Sequence, residues 1–420
     1  MSPINERFDE AELRGLQIGG QGVITPGMKK PELPFTKAEY QERLHRLRQR
    51  MAQEKIDLVF MTAPDSMCYL HGYSPCYFRG HGSTRFPPMA GTAVHVDHEA
   101  PVHFDFEQEH MLLFATSIVE ETHLMRDMTS LEEGLSIIMN ALRAKGWLRG
   151  TVGLEFWSHV PNRVVSQALQ DSFLQHGCRQ VVDVTRPMRA LRRIKSPKEI
   201  GYIEEATRIA DIALEVTKEI LRPGMTELEV YGEVVRAMTK AGGEPPAQVD
   251  VIQAGPYLNW HGFPSRRKIQ LGDLVMWDLK AVYNRYHSVL TRGYYLGDPP
   301  KQLVKLYRLA GNAYDILSEV AKAGTPIQEV CRALKSYYKD VNIWDLREWC
   351  GGIELGVSMP PDWVGEVVWD VEEETEGVFL ENEVTYYFGA LHTLQCDVYV
   401  YEKDSARRLS KVPLDLIVIG

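Results

Sequence analysis

The sequence predicts an α/β (α+β) fold in two domains: a smaller N-terminal α/β domain, and a larger C-terminal domain with pseudo-twofold symmetry. Three observations point this way. The 420 residues are more than one hydrophobic core usually organises. Between residues 57 and 184, short β-rich runs alternate with helical stretches, the pattern of an α/β domain. Further on, Gly224-Met-Thr-Glu-Leu-Glu229-Val230 recurs in outline as Gly324-Thr-Pro-Ile-Gln-Glu329-Val330, each opening a helix after a glycine turn. Two related helix–strand halves explain the echo, although strings this short also match by chance.

In chain order, residues 1–34 are rich in Gly and Pro without periodicity and read as an irregular arm. Residues 35–190 form the N-terminal domain. Thr36 and Glu39 make a capping box, and Tyr40, Leu44, Leu47 and Met51 follow at helical spacing. Strands are expected at 57–62, 91–96, 101–106, 151–156 and 180–184, with helices at 131–145 and 162–176. Residues 191–420 form the C-terminal domain. Ser196, Pro197 and Glu199 supply an N-cap, an N1 proline and an N3 acid for a long helix. Helices are expected again at 302–321 and 327–338, and the tail from Cys350 reads as strands joined by long turns.

Composition is that of a globular protein, 44% hydrophobic and 25% charged. The formal charge of −10 argues against general nucleic-acid binding. No apolar run approaches the roughly 18 residues of a membrane span. The first twenty residues lack the apolar core of a secretory signal, so a cytoplasmic location is expected. The six cysteines are scattered with no C-x-x-C pair, which argues against a disulfide scaffold and a cysteine-ligated zinc site. They read as reduced buried thiols, with Cys76 and Cys396 the two placed to border a site.

The stretch from Tyr257 to Gly297 carries the densest functional signal. Trp260-His261 is followed by a basic turn, Ser265-Arg266-Arg267-Lys268, and by Gly272-Asp273 launching a strand over 274–277. The strand is read as ending at Asp278, and a second β-rich stretch follows Thr291-Arg292 over 293–296. Together they make a hairpin whose inner face can hold a site. This order, with the R-x-I-K-S-x-x-E-I string at Arg192–Ile200, resembles the creatinase/aminopeptidase P family from about Leu33 to Gly420. The resemblance implies a C-terminal pita-bread domain.

Peptidases of that family carry five metal ligands. Carried onto this chain, the first falls on Asp278 in GDLVMWD, and the second, eleven residues on, on Val289. The others fall on Ile353 in GGIELGV, near Gly389 in LENEVTYYFGA and near Gln395 in LQCDVYV. One aspartate cannot offset the dehydration of a divalent ion, so no metal and no other cofactor is expected. The chain instead resembles the metal-free branch of the family, creatinase and ectoine hydrolase. That resemblance implies His261, in WHGFPSRRKIQLGD, as the catalytic proton-transfer group; an imidazole near pKa 6.5 suits the task, though such a histidine also serves as a hydrogen-bonded surface residue. The creatinase positions that grip a guanidinium fall on the neutral Thr291 and Gln395, which puts creatine in doubt. Arg285-Tyr286-His287 and Pro360-Pro361-Asp362-Trp363 are similar to ectoine hydrolase, which opens a small cyclic amidine. Tyr257, Trp260, Tyr286, His287 and Trp363 are candidate pocket walls, with Asp278 and Asp362 as counter-charges; each aromatic is equally at home in core packing. The resemblance also implies a homodimer in which a loop of one N-terminal domain reaches the other subunit's site. Phe78 with Arg79 or Arg85 is the candidate there, suited to a carboxylate.

The expected function is a metal-independent, creatinase-like hydrolase cleaving a C–N bond of a small polar substrate. A lyase or cyclase using the same histidine is one alternative. A binding domain without catalysis, like the peptidase-like domain of a histone chaperone in this family, is the other. No nucleic-acid or membrane partner is expected.

Overall fold

The structure, a computed structural model, describes residues 29–76, 90–126, 129–256, 258, 261–360, 365 and 367–420. The chain divides into two compact units, one ending at Leu191 and the other beginning at Arg192.

The first unit is a six-stranded mixed sheet flanked by helices. Its strands are β1 (Leu58–Met61), β2 (Gly91–His95), β3 (Val102–Phe106), β4 (Glu121–Met125), β5 (Thr151–Leu154) and β6 (Gln180–Asp183), in spatial order β4-β3-β2-β1-β5-β6. Helix α1 (Lys37–Glu54) starts where the capping signal places it: Thr36 accepts a hydrogen bond from the Glu39 amide, and Tyr40, Leu44, Leu47 and Met51 are buried. Helices α2 (Pro64–His71), α3 (His110–Thr116), α4 (Leu131–Ala144), α5 (Arg163–Gln175) and α6 (Thr185–Ala190) complete the unit. Phe60, Phe104, Phe173 and Trp147 lie in one core with Ile138 and Leu142.

The second unit repeats one plan twice. Helices α7 (Pro197–Ile220) and α8 (Glu227–Lys240) precede strands β7 (Val251–Ala254), β8 (Leu274–Tyr283) and β9 (Tyr286–Leu296). Helices α9 (Lys301–Val320) and α10 (Ile327–Asp340) then precede β10 (Trp349–Glu354), β11 (Val367–Asp370), β12 (Val384–Ala390) and β13 (Gln395–Tyr401). The short strands β14 (Ala406–Arg408) and β15 (Ile417–Ile419) pair with β13 and β9 in a sheet ordered β11-β10-β12-β13-β9-β8-β7. The echoed glycines do the same job in each half. Gly224 and Gly324 take positive φ and donate to the carbonyls of Ile269 and Phe379, and bridges join Thr226 to Lys268 and Pro326 to Val378.

One expectation needs correcting. β8 does not stop at Asp278, and β9 does not wait for Gly293. The two strands pair without a break from Leu274↔Tyr295 to Tyr283↔Tyr286, joined by Asn284 and Arg285 at φ 49° and 66°, the left-handed pair of a two-residue hairpin turn. The Glu244 carboxylate accepts both turn amides, at 2.8 and 3.0 Å. Every residue of β9 except Tyr295 is buried. With both faces covered, the strand has no solvent side to write an alternating pattern into its sequence.

Candidate active site

A cavity of about 300 Å³ opens over the sheet of the second unit. Strand alternation chooses its lining. Asp278 comes from β8, Val289 and Thr291 from β9, Trp349 and Ile353 from β10, Tyr386, Phe388 and Ala390 from β12, and Cys396 from β13. Gln248, His261 and Glu348 add polar groups from outside the strands. The floor is a single cross-strand row in which Asp278 faces Thr291, Thr291 faces Cys396, Cys396 faces Phe388, and Phe388 faces Gly351. A Cβ on Gly351 would collide with the Trp349 indole and the Trp369 carbonyl, so this position has room for glycine alone.

Asp278 is the one acid of that row. Its Oδ2 lies 2.6 Å from the Lys280 ammonium, and its Oδ1 accepts the Thr291 hydroxyl at 3.4 Å. Beside them Asp250 is buried, accepting the Lys280 amide on Oδ1 at 2.5 Å. Its Oδ2 has no hydrogen-bond partner among the described residues. Burial pushes the Asp250 carboxyl up to about 7, and the nearby Asp278 charge adds to the shift. The Cys396 thiol donates to the Val289 carbonyl; burial first, then the Asp278 and Asp397 carboxylates, hold its pKa well above the usual value. That is the environment of an inert thiol, not of a nucleophile.

His261 is exposed at the cavity. Its segment is anchored by the buried Glu227, which accepts the Ala254 and Ser265 amides at 2.8 Å and the Ser265 hydroxyl at 2.6 Å. A solvent-reached imidazole on a tethered segment can exchange protons with water and a ligand in the cavity.

The structure brings together His261, Asp278 and Thr291, with Val289 and Ile353 at the same cavity. Three other candidates are placed elsewhere. Tyr286 is buried and donates to Glu199 at 2.8 Å, bracing α7. His287 is also buried, its Nε2 accepting the Ala247 amide at 3.2 Å and its Nδ1 donating to the Arg285 carbonyl at 3.1 Å. Burial and the adjacent Arg285 lower its pKa to about 3. Gln395 points to the opposite side of β13 from Cys396, donating to the carbonyls of Tyr307 and Leu414. Gly389 likewise yields its place in the row to Phe388. A shift of one residue along a strand exchanges the two faces, and spacing alone left that one-residue ambiguity. Tyr257, Trp260, Asp362, Trp363, Phe78, Arg79 and Arg85 lie outside the described residues. Residues missed in the sequence are Trp349, Tyr386, Phe388, Gln248 and Glu348; alternation along β10 and β12 is the signal that identifies the first three.

The donor set of the described residues does not fit a divalent ion. Among the described residues no three His, Cys, Asp or Glu side chains come together as ligands, and one oxygen of Asp278 is already held by an ammonium. Nor, among the described residues, is any helix long and apolar enough to cross a membrane.

Residues 201–390 match the Metallopeptidase family M24, and residues 43–194 match the Creatinase/Prolidase N-terminal domain. The chain is 27% identical over 380 residues to an ectoine hydrolase of Halomonas elongata, covering 86% of this chain and 91% of that one. It is 26% identical over 380 residues to an Xaa-Pro dipeptidase of Pyrococcus furiosus, covering 90% and 99%. A dipeptidase structure from Pyrococcus horikoshii superposes with a TM-score of 0.73 at 18% identity, over 90% of this chain and 99% of that one, a likeness of fold. Both sequence relatives are hydrolases by name. With one domain match following the other along the chain, and a sheet built from two like halves, this protein belongs to the creatinase/aminopeptidase P family with its pita-bread fold.

Proposed function

We propose that this protein hydrolyses a C–N bond in a small polar amide or amidine without a bound metal ion, with His261 as the proton-transfer group. The cross-strand row carries this reading: one acid already paired with Lys280, then threonine, cysteine, phenylalanine and glycine. Among the described residues this floor offers no ligand set to bind and activate a metal-bound water, which supports proton transfer by a side chain. In this scheme His261 takes a proton from water as the water oxygen bonds to the amidine or amide carbon. It returns that proton to the nitrogen as the C–N bond breaks. Asp278 Oδ1 and the Thr291 hydroxyl are within reach to hydrogen-bond a substrate N–H or oxygen. Tyr386, Phe388 and Trp349 supply aromatic surface for a delocalised cation. The ectoine hydrolase relative supports this class.

The Xaa-Pro dipeptidase relative favours a second reading, peptide cleavage. The test offers EDTA-treated protein ectoine and a set of Xaa-Pro dipeptides, each with and without added Mn²⁺, and follows products by mass spectrometry. We expect metal-free turnover of the amidine, and well under one divalent ion per chain by elemental analysis. His261→Ala should lower turnover by about 10²–10⁴-fold and leave the thermal midpoint unchanged. Cleavage of the dipeptides alone, and only with Mn²⁺, would transfer the assignment to a dipeptidase. Turnover equal in His261→Ala would remove the histidine from the mechanism.

A further inference from the structure

Lys280 is almost completely buried, at 1% exposure. An ammonium in that position is costly unless oxygen atoms surround it, and here they do. Its Nζ is 2.6 Å from Asp278 Oδ2 and 3.4 Å from the carbonyls of Asp278 and Val249. Two residues from Asp278 on one strand, Lys280 shares its side of the sheet. Its partner across the hairpin is Val289, an apolar wall of the cavity. Asp250, buried beside it just ahead of β7, lies near Asp278 and Lys280 of β8 and Tyr231 of α8. The site therefore has a carboxylate at its floor and an anionic or carbonyl oxygen cluster next to it, with a cation supplied by the chain itself.

We propose that Lys280 is the resident cation of this site, a positioning residue whose ammonium takes the charge position beside Asp278 and thereby excludes a divalent ion. Holding Oδ2, it leaves Oδ1 turned to Thr291 and the cavity. The ammonium also repels any second cation that approaches the same carboxylate, because two positive charges a few ångströms apart in a water-poor site are poorly screened. The inference builds on the metal-independent reading above, but its test uses no substrate. A failed turnover assay therefore leaves it to be judged separately.

The test titrates Mn²⁺ into the full-length protein and reads bound ion by electron paramagnetic resonance, for wild type, Lys280→Ala, Lys280→Arg and Lys280→Ala with Asp278→Asn. The wild type and Lys280→Arg should bind Mn²⁺ no better than scattered surface carboxylates do. Lys280→Ala should bind one ion on the order of 10-fold more tightly or better, since losing the ammonium frees Asp278 Oδ2 next to the Asp250 carboxylate and the Val249 carbonyl, and hard cations select such grouped oxygens where a single aspartate would not suffice. The added Asp278→Asn change should abolish that gain. Lys280→Met, which keeps the buried stem and removes only the charge, should show the same direction of change if the alanine variant does not fold. Tight stoichiometric Mn²⁺ binding by the wild type would overturn the proposal. So would folded Lys280→Ala and Lys280→Met proteins with wild-type Mn²⁺ affinity, or a gain that survives Asp278→Asn.

Discussion

His287 and Arg292 show how a polar residue in the middle of the hairpin becomes part of the scaffold. The two hydrogen bonds of His287 need the neutral ring: Nδ1 donates and Nε2 accepts. Protonation turns Nε2 into a donor facing another donor. Its pKa is about 3 in the folded protein against an ordinary 6.5. As pH falls, the unfolded chain takes up the proton first. The contribution to stability is full above 6.5 and is lost as pH falls from 6.5 toward 3. We expect His287→Gln to lose less stability than wild type between pH 6.5 and 4, a difference on the order of a few kcal/mol, measured by urea unfolding at several pH values. Arg292 is fully buried, 2.6 Å from Asp397, and also donates to the carbonyls of Pro413, Cys396 and Val412. Arg292→Met leaves the Asp397 carboxylate buried without its main partner. That should cost about 3–5 kcal/mol at pH 7, with partial recovery when Asp397→Asn is added.

At the scale of elements, the ends of helices were legible and the ends of the central strands were not. The Ser196/Glu199 capping box of α7 is formed in both directions, Ser196 Oγ accepting the Glu199 amide at 3.3 Å and Glu199 accepting the Ser196 amide at 2.8 Å. Such caps are local chemistry within four residues, so the sequence carries them whole. Ser196→Ala should lower stability by about 1 kcal/mol in urea unfolding, with activity retained by the folded fraction. The β8–β9 hairpin is decided otherwise. Asn284 and Arg285 supply its turn, and Glu244, forty residues earlier, satisfies the turn amides. Nothing in the local string announces that partner.

For the whole molecule, the echo at Gly224 and Gly324 is a real repeat, since each glycine enters the same hydrogen-bonded turn ahead of its helix. It places β9 next to β13 at the centre of the sheet, which is why one row of side chains draws on both halves. Assembly is a separate matter. The family resemblance leads us to expect a homodimer in solution. Light scattering at micromolar concentration should then give twice the chain mass of 47.8 kDa; a monomer mass would remove a site shared between subunits.

The sequence by itself determined the fold class, the longer helices with their caps at Thr36 and Ser196, and the repeated halves, while the short helices over Pro64–His71, His110–Thr116 and Thr185–Ala190 were not legible in it. The first group rests on local periodicity and short-range capping; His261, Asp278 and Thr291 came from the family resemblance, and the structure places all three at one cavity. Only the tertiary structure decided which side of each strand faces the cavity, and with it the replacement of Gly389 and Gln395 by Phe388 and Cys396. It also withdrew Tyr286 and His287 into the protein and paired Lys280 with Asp278. The physical reason is that a buried strand covered on both faces carries little alternation to read. Its orientation is set by partners distant in sequence, whose hydrogen bonds and charges exist only once the sheet has formed.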